Sequence, residues 1–491
     1  MNLREIMHGI FYQGVNLPDE LRILSLTMDS RTAAEGSLFF AVPGTNLDGW
    51  DYIPDAMRRG AAAVVTCRAP ADASVPYLLV DDVRAAAAAA AANFFGHPAA
   101  GMKLIGVTGT KGKTTVTHMI KAVVESAGET KCGLIGTLYN MAGDEVLPGP
   151  LHDRTTPDAI TLHRVLRQMA DAGCTHCAME VSSHALDQGR AAGIRFAIGV
   201  FTNLSQDHLD YHETMEAYFQ AKKRLFHQCD VAVVNGDDPV CDDLLDIPGL
   251  EALTFSLGRN EGDAIAKNIR YQPSQVEFDL LTGGEISRVC VNTPGEYTVQ
   301  NALAAYTCGL LLGYRREAVT QALSGMKGVP GRLERVEVPA DFTVMIDYAH
   351  SPESLEKTLL ALGVGLEKRL ILVFGCGGDR DRSKRPIMGA AASRLADLTI
   401  VTSDNPRSED PKAIIADIVA GMDKMDKKAR AYETVTDRRE AIYRALSLAE
   451  TGDIVLLCGK GAETYQEIAG VKHPLDERQV VAEFFRGRSA L

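Results

Sequence analysis

Short apolar runs recur along the chain, separated by helical patterns and by Gly- and Pro-rich breaks, and they fall into three blocks. In the first block, apolar runs at 37–44, 61–65 and 77–80 predict short strands with helices between them. The alanine run from Ala85 to Ala92 predicts a further helix, because alanine is the strongest helix former, and His97-Pro98-Ala99-Ala100-Gly101 breaks it. The second block carries strand candidates at 103–107, 177–181, 198–202 and 231–235, with helical patterns between several of them, and closes at 328–332. The third repeats the rhythm at 344–347, 370–375, 398–402 and 454–458. Such alternation predicts largely parallel sheets with helices on both faces. The expected architecture is α/β in three domains: an N-terminal α/β domain at 1–99, a central mostly parallel, P-loop ATPase-like domain at 100–332, and a Rossmann-like domain at 333–491.

A chain of 491 residues fits two to four domains, and 46% hydrophobic residues are ample for their cores. The net charge of −13 argues against a nucleic-acid partner, which would call for a basic face. It leaves nucleotides open, since a few local cations suffice for them. The ten cysteines lie mostly inside apolar runs and fit reduced thiols in the cytoplasm. Cys174 and Cys177 make a single C-x-x-C without a second pair at zinc spacing, so neither a metal nor a redox role is expected there. No signal-peptide pattern and no bilayer-length apolar run stand out, so no membrane insertion is expected.

The strongest chemical signal is Gly109-Thr110-Lys111-Gly112-Lys113-Thr114-Thr115, between an apolar strand and a helical segment. Glycines there let backbone N–H groups curl around phosphate oxygens, and the helix N-terminus adds a favourable dipole. Lys113 supplies charge to the terminal phosphates, and the Thr114 hydroxyl suits Mg²⁺. Only two residues separate Gly109 from Gly112-Lys113, whereas the usual phosphate loop has four, and five separate Gly106 from Gly112. The bland alternative is a tight turn. Glu180 ends a strand as an acidic metal ligand would, or as a solvated strand-end carboxylate would. Lys222, in Ala221-Lys222-Lys223-Arg224, reads by itself as part of a basic helix face.

Six ordered segments carry a resemblance: the 109–115 loop, Glu180-Val181-Ser182-Ser183-His184, Thr202-Asn203-Leu204-Ser205-Gln206-Asp207-His208, Asn301-Ala302-Leu303, Gly331-Arg332-Leu333-Glu334 and Asp347-Tyr348-Ala349-His350. Together they resemble the Mur ligase family, the ATP-dependent amino-acid ligases of peptidoglycan synthesis. The likeness covers essentially the whole chain and extends to the branch acting on UDP-N-acetylmuramoyl-L-Ala-D-Glu. It implies an acyl phosphate on the D-glutamate side-chain carboxylate, then attack by an amine. It places ATP on the 109–115 loop, adenine on Asn301, phosphate on Arg332 and ribose on Asp347. A helix-capping Asn and surface charges are the plain alternatives for those three. Mg²⁺ would be held by Thr114, Glu180, His208 and a carbamate made from CO₂ on Lys222, the choice of Lys222 over Lys223 resting on family spacing. Lys113, Glu180, His208 and Lys222 would then be the catalytic set.

The resemblance also assigns the UDP-muramyl peptide to Ser30, Thr155, Thr156, Ser182, Gln188 and Arg190, with the first domain holding the UDP-sugar; Thr155-Thr156-Pro157 also reads as a capped turn. The incoming amino acid falls to the third domain, at Asp404-Asn405-Pro406-Arg407 with Arg380, Gly459 and Glu463. Asp404 and Asn405 suit an ammonium, and Arg407 suits a second carboxylate, which meso-diaminopimelate has and lysine lacks. Trp50, Arg154 and Tyr297-Thr298 depart from the family pattern. The nearest competitor, folylpolyglutamate synthetase, would not be expected to carry the first block or the 404–407 segment. A regulatory ATPase with a sensor domain is the competitor from another class. The chain is expected to act as a monomer.

Overall fold

The computed structural model describes residues 1–44, 47–148, 155–424 and 431–488. Arg154 lies outside them. Five strands open the fold: Gln13–Val15 (β1), Ser25–Thr27 (β2), Ser37–Phe40 (β3), Ala61–Thr66 (β4) and Tyr77–Leu79 (β5), in the spatial order β1-β5-β4-β3-β2. All neighbours are parallel except β1, which pairs antiparallel with β5. The alanine-rich helix Val83–Phe94 is capped by the Asp82 carboxylate, which accepts from the backbone N–H groups of Arg84 and Ala85. Ala86, Ala87, Ala90 and Ala91 bury against Leu38, Phe40, Val65 and Leu78, where small side chains let the helix lie close to the sheet. The break after it is a short 3₁₀ turn, Pro98–Gly101, entered through His97 at φ 51°.

The next sheet is built on Lys103–Thr108 (β6), Cys132–Ile135 (β7), Asn140–Ala142 (β8), Glu145–Val146 (β9), His176–Glu180 (β10), Phe196–Phe201 (β11), Cys229–Asn235 (β12) and Glu251–Ser256 (β13). The order is β13-β12-β11-β6-β10-β7-β8-β9, parallel throughout except for β8 and β9. β6, β10 and β11 are almost wholly buried, as apolar strands covered on both faces must be. Their carboxyl ends at Thr108, Glu180 and Phe201 line up through the parallel register, which brings 109–115, 181–184 and 202–208 to one edge. The strand Ala264–Tyr271 (β14) begins beside β13 at Ala264 and Ile265.

Up to Ile265 these residues belong to one compact unit, Met1–Ile265 with Leu303–Ala322; the second unit is Ala266–Ala302 with Leu323–Leu491. In the second unit, Val276–Thr282 (β15) and Glu285–Val291 (β16) make an antiparallel hairpin. The sequence reading missed this hairpin and the short β8–β9 hairpin. The unit's six-stranded sheet comprises Glu334–Val336 (β17), Thr343–Asp347 (β18), Leu370–Phe374 (β19), Leu398–Val401 (β20), Ala431–Thr434 (β21) and Ile454–Cys458 (β22). Its order is β17-β18-β22-β19-β20-β21, with β17 alone antiparallel. Four strands at the heart of it, β18, β19, β20 and β22, end in Asp347, Gly375-Cys376-Gly377, Thr402-Ser403-Asp404 and Gly459-Lys460. Loops at the carboxyl ends of parallel strands are the usual place for ligands in such sheets. Tyr465–Ile468 (β23) and Val471–Pro474 (β24) form a separate hairpin. Among the described residues no helix is long and apolar enough to cross a membrane.

Candidate active site

In the first unit, β6 runs into Gly109 at φ 145° and Gly112 at φ 87°, and the helix Lys113–Gly128 starts directly after. A Cβ on Gly109 would stand 1.9 Å from Thr202 Oγ1, so only glycine fits there. The loop is held by the end of β11. Thr110 N donates to Asn203 O (2.8 Å), Lys111 N donates to Asn203 Oδ1 (3.0 Å), and Thr202 Oγ1 donates to Lys111 O (2.6 Å). Gly112 occupies the N-cap position and offers no side-chain cap to compete with an anion. Lys113 Nζ donates to Gly109 O (2.8 Å) and Thr110 O (3.0 Å).

Lys222 arrives on the helix Met215–Lys223 and is 1% exposed. Its Nζ donates to the same Gly109 carbonyl at 2.9 Å and lies 4.2 Å from the centre of the Tyr218 ring. Burial pushes its pKa well below the ordinary lysine value, and the charges of Lys113 and Lys111 push the same way against Asp207. Its neighbour Lys223 is partly exposed, 5.9 Å from the Phe219 ring.

Glu180 is 1% exposed at the end of β10. It accepts from Thr137 N (2.9 Å) and Thr137 Oγ1 (3.1 Å), which use two of the roughly four lone-pair sites of a carboxylate. Thr137 Oγ1 also lies 3.1 Å from Thr155 Oγ1. Thr156 ties the next strand end together. Its Oγ1 donates to Glu180 O (2.9 Å) and accepts from Ser182 N (3.0 Å), while Arg190 Nη1 donates to Thr156 O (2.8 Å). Arg190 Nη2 grips Gln188 Oε1 at 2.6 Å, and Gln188 Nε2 donates to Tyr211 OH at 3.2 Å. Five of the six expected peptide-binding residues therefore form one network around the Glu180 strand end. Ser30 sits apart in the first sheet's 3₁₀ turn Ser30–Thr32, 5% exposed and hydrogen-bonded to Asp55.

His208, at φ 54°, lies next to His184, with ring centres 4.9 Å apart. Burial lowers the pKa of His208, His212 and His184, reaching about 4 for His184, so these imidazoles are neutral at pH 7. Asp207 pairs with Lys111 at 3.1 Å. Among the described residues, no three His, Cys, Asp or Glu side chains converge as a metal site. Cys174 and Cys177 are buried free thiols whose pKa values burial raises.

The second unit carries the other candidate residues. Asn301 lies in the helix Glu296–Leu311 and is 8% exposed. Asp347 closes β18; its Oδ2 accepts from Leu333 N and its Oδ1 from Ala349 N, both at 2.8 Å. Burial raises its pKa, and Arg332 opposes that. The Arg332 guanidinium stacks 4.7 Å from the centre of the Tyr348 ring.

Asp404 and Asn405 follow β20 and are buried. Asp404 Oδ1 accepts from Asn405 N (2.7 Å), and Asp404 Oδ2 has no hydrogen-bond partner but lies 3.8 Å from Arg438. A Cβ on Gly459 would stand 2.3 Å from that oxygen, at φ 113°, which explains the glycine. Asn405 Oδ1 accepts from Lys460 Nζ (3.1 Å) and Glu467 N (2.9 Å), and its Nδ2 donates to Glu463 Oε2 (2.8 Å). Asn405 Oδ1 thus already meets two donors, Asp404 Oδ2 meets none among the described residues, and Asn405 has one N–H left to give.

Arg407 stands at φ 51°, with Nη1 donating to Gly378 O at 2.7 Å and Nε 3.4 Å from Glu467 Oε2. Close packing shapes this turn, since a Cβ on Gly378 would meet Pro406 O at 1.9 Å. Arg380 is exposed and, among the described residues, donates Nη1 to the carbonyl of its neighbour Asp379 at 3.2 Å. Sequence reasoning missed Thr137, Arg385, Arg438 and Lys460. Lys460 had a signal, its place between Gly459 and Gly461. Arg385 and Arg438 read as ordinary charged helix residues and left none. Trp50, one of the family departures, donates Nε1 to Ala69 O at 3.1 Å and carries Arg68 4.4 Å from its ring centre. Tyr297 has Lys357 4.7 Å from its ring centre, and Thr298 Oγ1 donates to Pro294 O at 2.8 Å.

A phosphate loop set among hydroxyls and acids, followed by a parallel-sheet domain with polar side chains gathered at its strand ends, fits a three-domain α/β ATP-dependent ligase of the acid–amino-acid class. The family models for the Mur ligase catalytic domain, the Mur ligase middle domain and the Mur ligase glutamate ligase domain match residues 22–95, 107–309 and 331–461. The chain is 43% identical over 467 residues to the UDP-N-acetylmuramoyl-L-alanyl-D-glutamate--2,6-diaminopimelate ligase of Geobacillus thermodenitrificans, covering 93% of this chain and 94% of that one. It is 41% identical over 489 residues to ligase 1 of that name in Clostridium acetobutylicum, covering 99% of both. A solved structure of a ligase of that name matches with TM-score 0.71 and 33% identity, covering 100% of this chain and 99% of that one. The chain belongs to the Mur ligase family.

Proposed function

We propose that this protein uses ATP to join meso-2,6-diaminopimelate to the D-glutamate side-chain carboxylate of UDP-N-acetylmuramoyl-L-Ala-D-Glu, in cytoplasmic peptidoglycan precursor synthesis. The observation that carries the choice of amino acid is Arg407, a half-buried cation held by the Gly378 carbonyl at the carboxyl edge of the second unit's sheet. A guanidinium there matches a distal carboxylate, and it would be left without that partner if lysine bound. We assign residues 1–99 to the UDP-sugar, 100–332 to ATP and catalysis, and 333–491 to the amino acid.

The reaction needs a carboxylate oxygen to attack the γ-phosphorus of ATP with loss of ADP. The amine nitrogen then attacks the acyl carbon, phosphate leaves, and the amine gives up a proton. The 109–115 loop fits ATP: Gly109 is sterically required, Gly112 turns at φ 87°, and the helix start carries no side-chain cap. Lys113 would neutralise charge on the phosphoryl group in transfer. Glu180, with lone pairs left by Thr137, fits Mg²⁺ together with the Thr114 hydroxyl and His208. When bound, the metal supplies charge neutralisation for phosphoryl transfer.

Lys222 fits a carbamate for a physical reason. Its burial favours the uncharged amine, the form that reacts with CO₂. As an ammonium it shares one carbonyl with Lys113, a like-charge pair; as a carbamate it would face Lys113 with opposite charge. Asn301, Arg332 and Asp347 would take the adenine, phosphate and ribose. Thr155, Thr156, Ser182, Gln188, Arg190 and Ser30 would take the muramyl peptide.

The test is phosphate release with UDP-N-acetylmuramoyl-L-Ala-D-Glu and, in turn, meso-diaminopimelate, L-lysine and L-ornithine. Release driven by diaminopimelate and far less by the others supports the assignment. Equal release with lysine, or release without the muramyl substrate, refutes it.

A further inference from the structure

Lys460 follows β22 in the turn Gly459-Lys460-Gly461, and its side chain is 0% exposed. Its ammonium donates to Asn405 Oδ1 and to Glu463 Oε2, both at 3.1 Å, and lies 5.5 Å from the Tyr465 ring centre. These contacts leave Asn405 a single amide orientation. Two donors, Lys460 Nζ and Glu467 N, meet the oxygen, and the amide nitrogen faces the Glu463 carboxylate. Glu463 spends Oε2 on Asn405 and Lys460, while its side chain stays 24% exposed. The outcome is a partly open carboxylate and one unspent amide N–H, both fixed from below by a buried cation.

We propose that Lys460 is a positioning residue for the amino-acid substrate. It does not touch that substrate; it holds Glu463 and Asn405 in the one arrangement that offers an anionic oxygen beside an N–H donor. That pair is complementary to an ammonium next to a carboxylate, the end group of an α-amino acid. Without Lys460, the Asn405 amide loses the donor that fixes its orientation and Glu463 loses its buried counter-charge. The inference rests on the reading of this pocket as the amino-acid site.

Lys460→Met tests it, since it keeps an unbranched apolar stem and removes the ammonium. With purified full-length protein, KM for diaminopimelate should rise roughly 10- to 100-fold, as for loss of a charge-assisted hydrogen bond. KM for ATP and for the muramyl substrate should stay within about twofold. In the double variant with Glu463→Gln, KM for diaminopimelate should rise by clearly less than the product of the two single effects, because Lys460 acts partly through a group already altered and partly through Asn405. A residue that only supports the fold would raise all three KM values and add its loss to that of Glu463→Gln. Unchanged KM for diaminopimelate, parallel rises for ATP, or multiplied losses in the double variant each overturn the proposal. If Lys460→Met does not fold, the same measurements fall to Lys460→Gln, and failure of both to fold assigns Lys460 to the fold and overturns it. Failure of the function reading itself would appear in the wild-type protein, which would then not turn over with diaminopimelate.

Discussion

Around the phosphate loop, the fixed groups are mostly backbone: Gly109 and Gly112 at positive φ, carbonyls of Gly109, Thr110 and Lys111, and the uncapped start of one helix. Around Asp404-Asn405-Pro406-Arg407, the fixed groups are buried side chains drawn from distant segments. Arg438 donates to Glu477 Oε1 and Cys458 O at 2.8 Å, and Arg385 donates to Glu409 Oε1 at 2.7 Å and Asp417 Oδ2 at 2.9 Å; both arginines are 0% exposed at the side chain. Glu409 in turn accepts from Asp379 N at 2.7 Å, so Arg385 steadies the turn that carries Arg380. The contrast teaches how each site gets its precision. A phosphate-binding loop needs one backbone shape and little else, whereas a pocket that discriminates between amino acids needs polar side chains held at fixed angles, and buried ions supply that hold.

The largest expected effects lie at the loop. Lys113→Ala should lower kcat by about 10³-fold or more, the scale of a cation lost from a phosphoryl-transfer site. Lys222→Ala should be comparably damaging, and added bicarbonate or a short carboxylic acid should restore part of its activity. Full activity of Lys113→Ala in the phosphate-release assay would remove the loop from the mechanism, and full activity of Lys222→Ala would remove the carbamate. Neither change should alter the ratio of kcat/KM values for diaminopimelate and L-lysine, because neither residue is among those assigned to the amino acid.

Arg407→Ala should do the reverse. The expected loss is about 2–5 kcal/mol for diaminopimelate, roughly 30- to 5,000-fold in kcat/KM, with a much smaller loss for lysine. The ratio between the two should collapse towards unity. Equal proportional losses would show that Arg407 supports the shared amino-acid end or the fold.

Acid should separate the two units. His163, on the helix Ala159–Asp171, is 3% exposed, and burial lowers its pKa from 6.5 to about 4. As pH falls below 6.5 the unfolded chain takes up that proton first, so the stabilisation is complete above 6.5 and is lost on the way down to about 4. The loss amounts to about 3 kcal/mol by pH 4. In the second unit, Arg385 holds Glu409 down at about 2 from 4.5, so its contribution is intact above 4.5 and disappears only towards 2. Between pH 6.5 and 4.5 the first unit should therefore weaken before the second, as read by hydrogen exchange. His163→Leu should flatten that dependence in denaturant titrations at pH 7 and pH 4. An unaltered pH slope would refute the assignment.

The smallest effect is expected at Arg380. An exposed side chain bonded to its neighbour's carbonyl should cost less than about 1 kcal/mol on change to Ala, read as a few-fold rise in KM for diaminopimelate. A loss as large as that of Arg407→Ala would mean that Arg380 closes onto the substrate in a way its present contacts do not reveal.

The parallel α/β character, the alanine helix, the 109–115 loop and the strand-end positions of Glu180 and Asp347 were legible in the chain. Each follows from local rules: apolar runs that must be covered on two faces, alanine's helix preference, and glycines where backbone must turn sharply or approach closely. The hairpin β15–β16 was not legible, although its burial alternates cleanly along β15, because polar residues diluted the apolar runs that the reading relied on. Lys222 could not be told from a surface lysine, since the fold sets its ammonium against the Gly109 carbonyl of the loop after β6 and the Tyr218 ring. The same holds for Asn405. Its type suggested a polar group for a ligand, but that Lys460, 55 residues away, and Glu467 N donate to its oxygen is visible only in the fold. By itself the sequence determined which chemical groups were present and which strand ends would carry them. Tertiary structure decided which of those groups remain available to a ligand, because hydrogen-bond capacity is finite and its distribution depends on partners that only folding brings together.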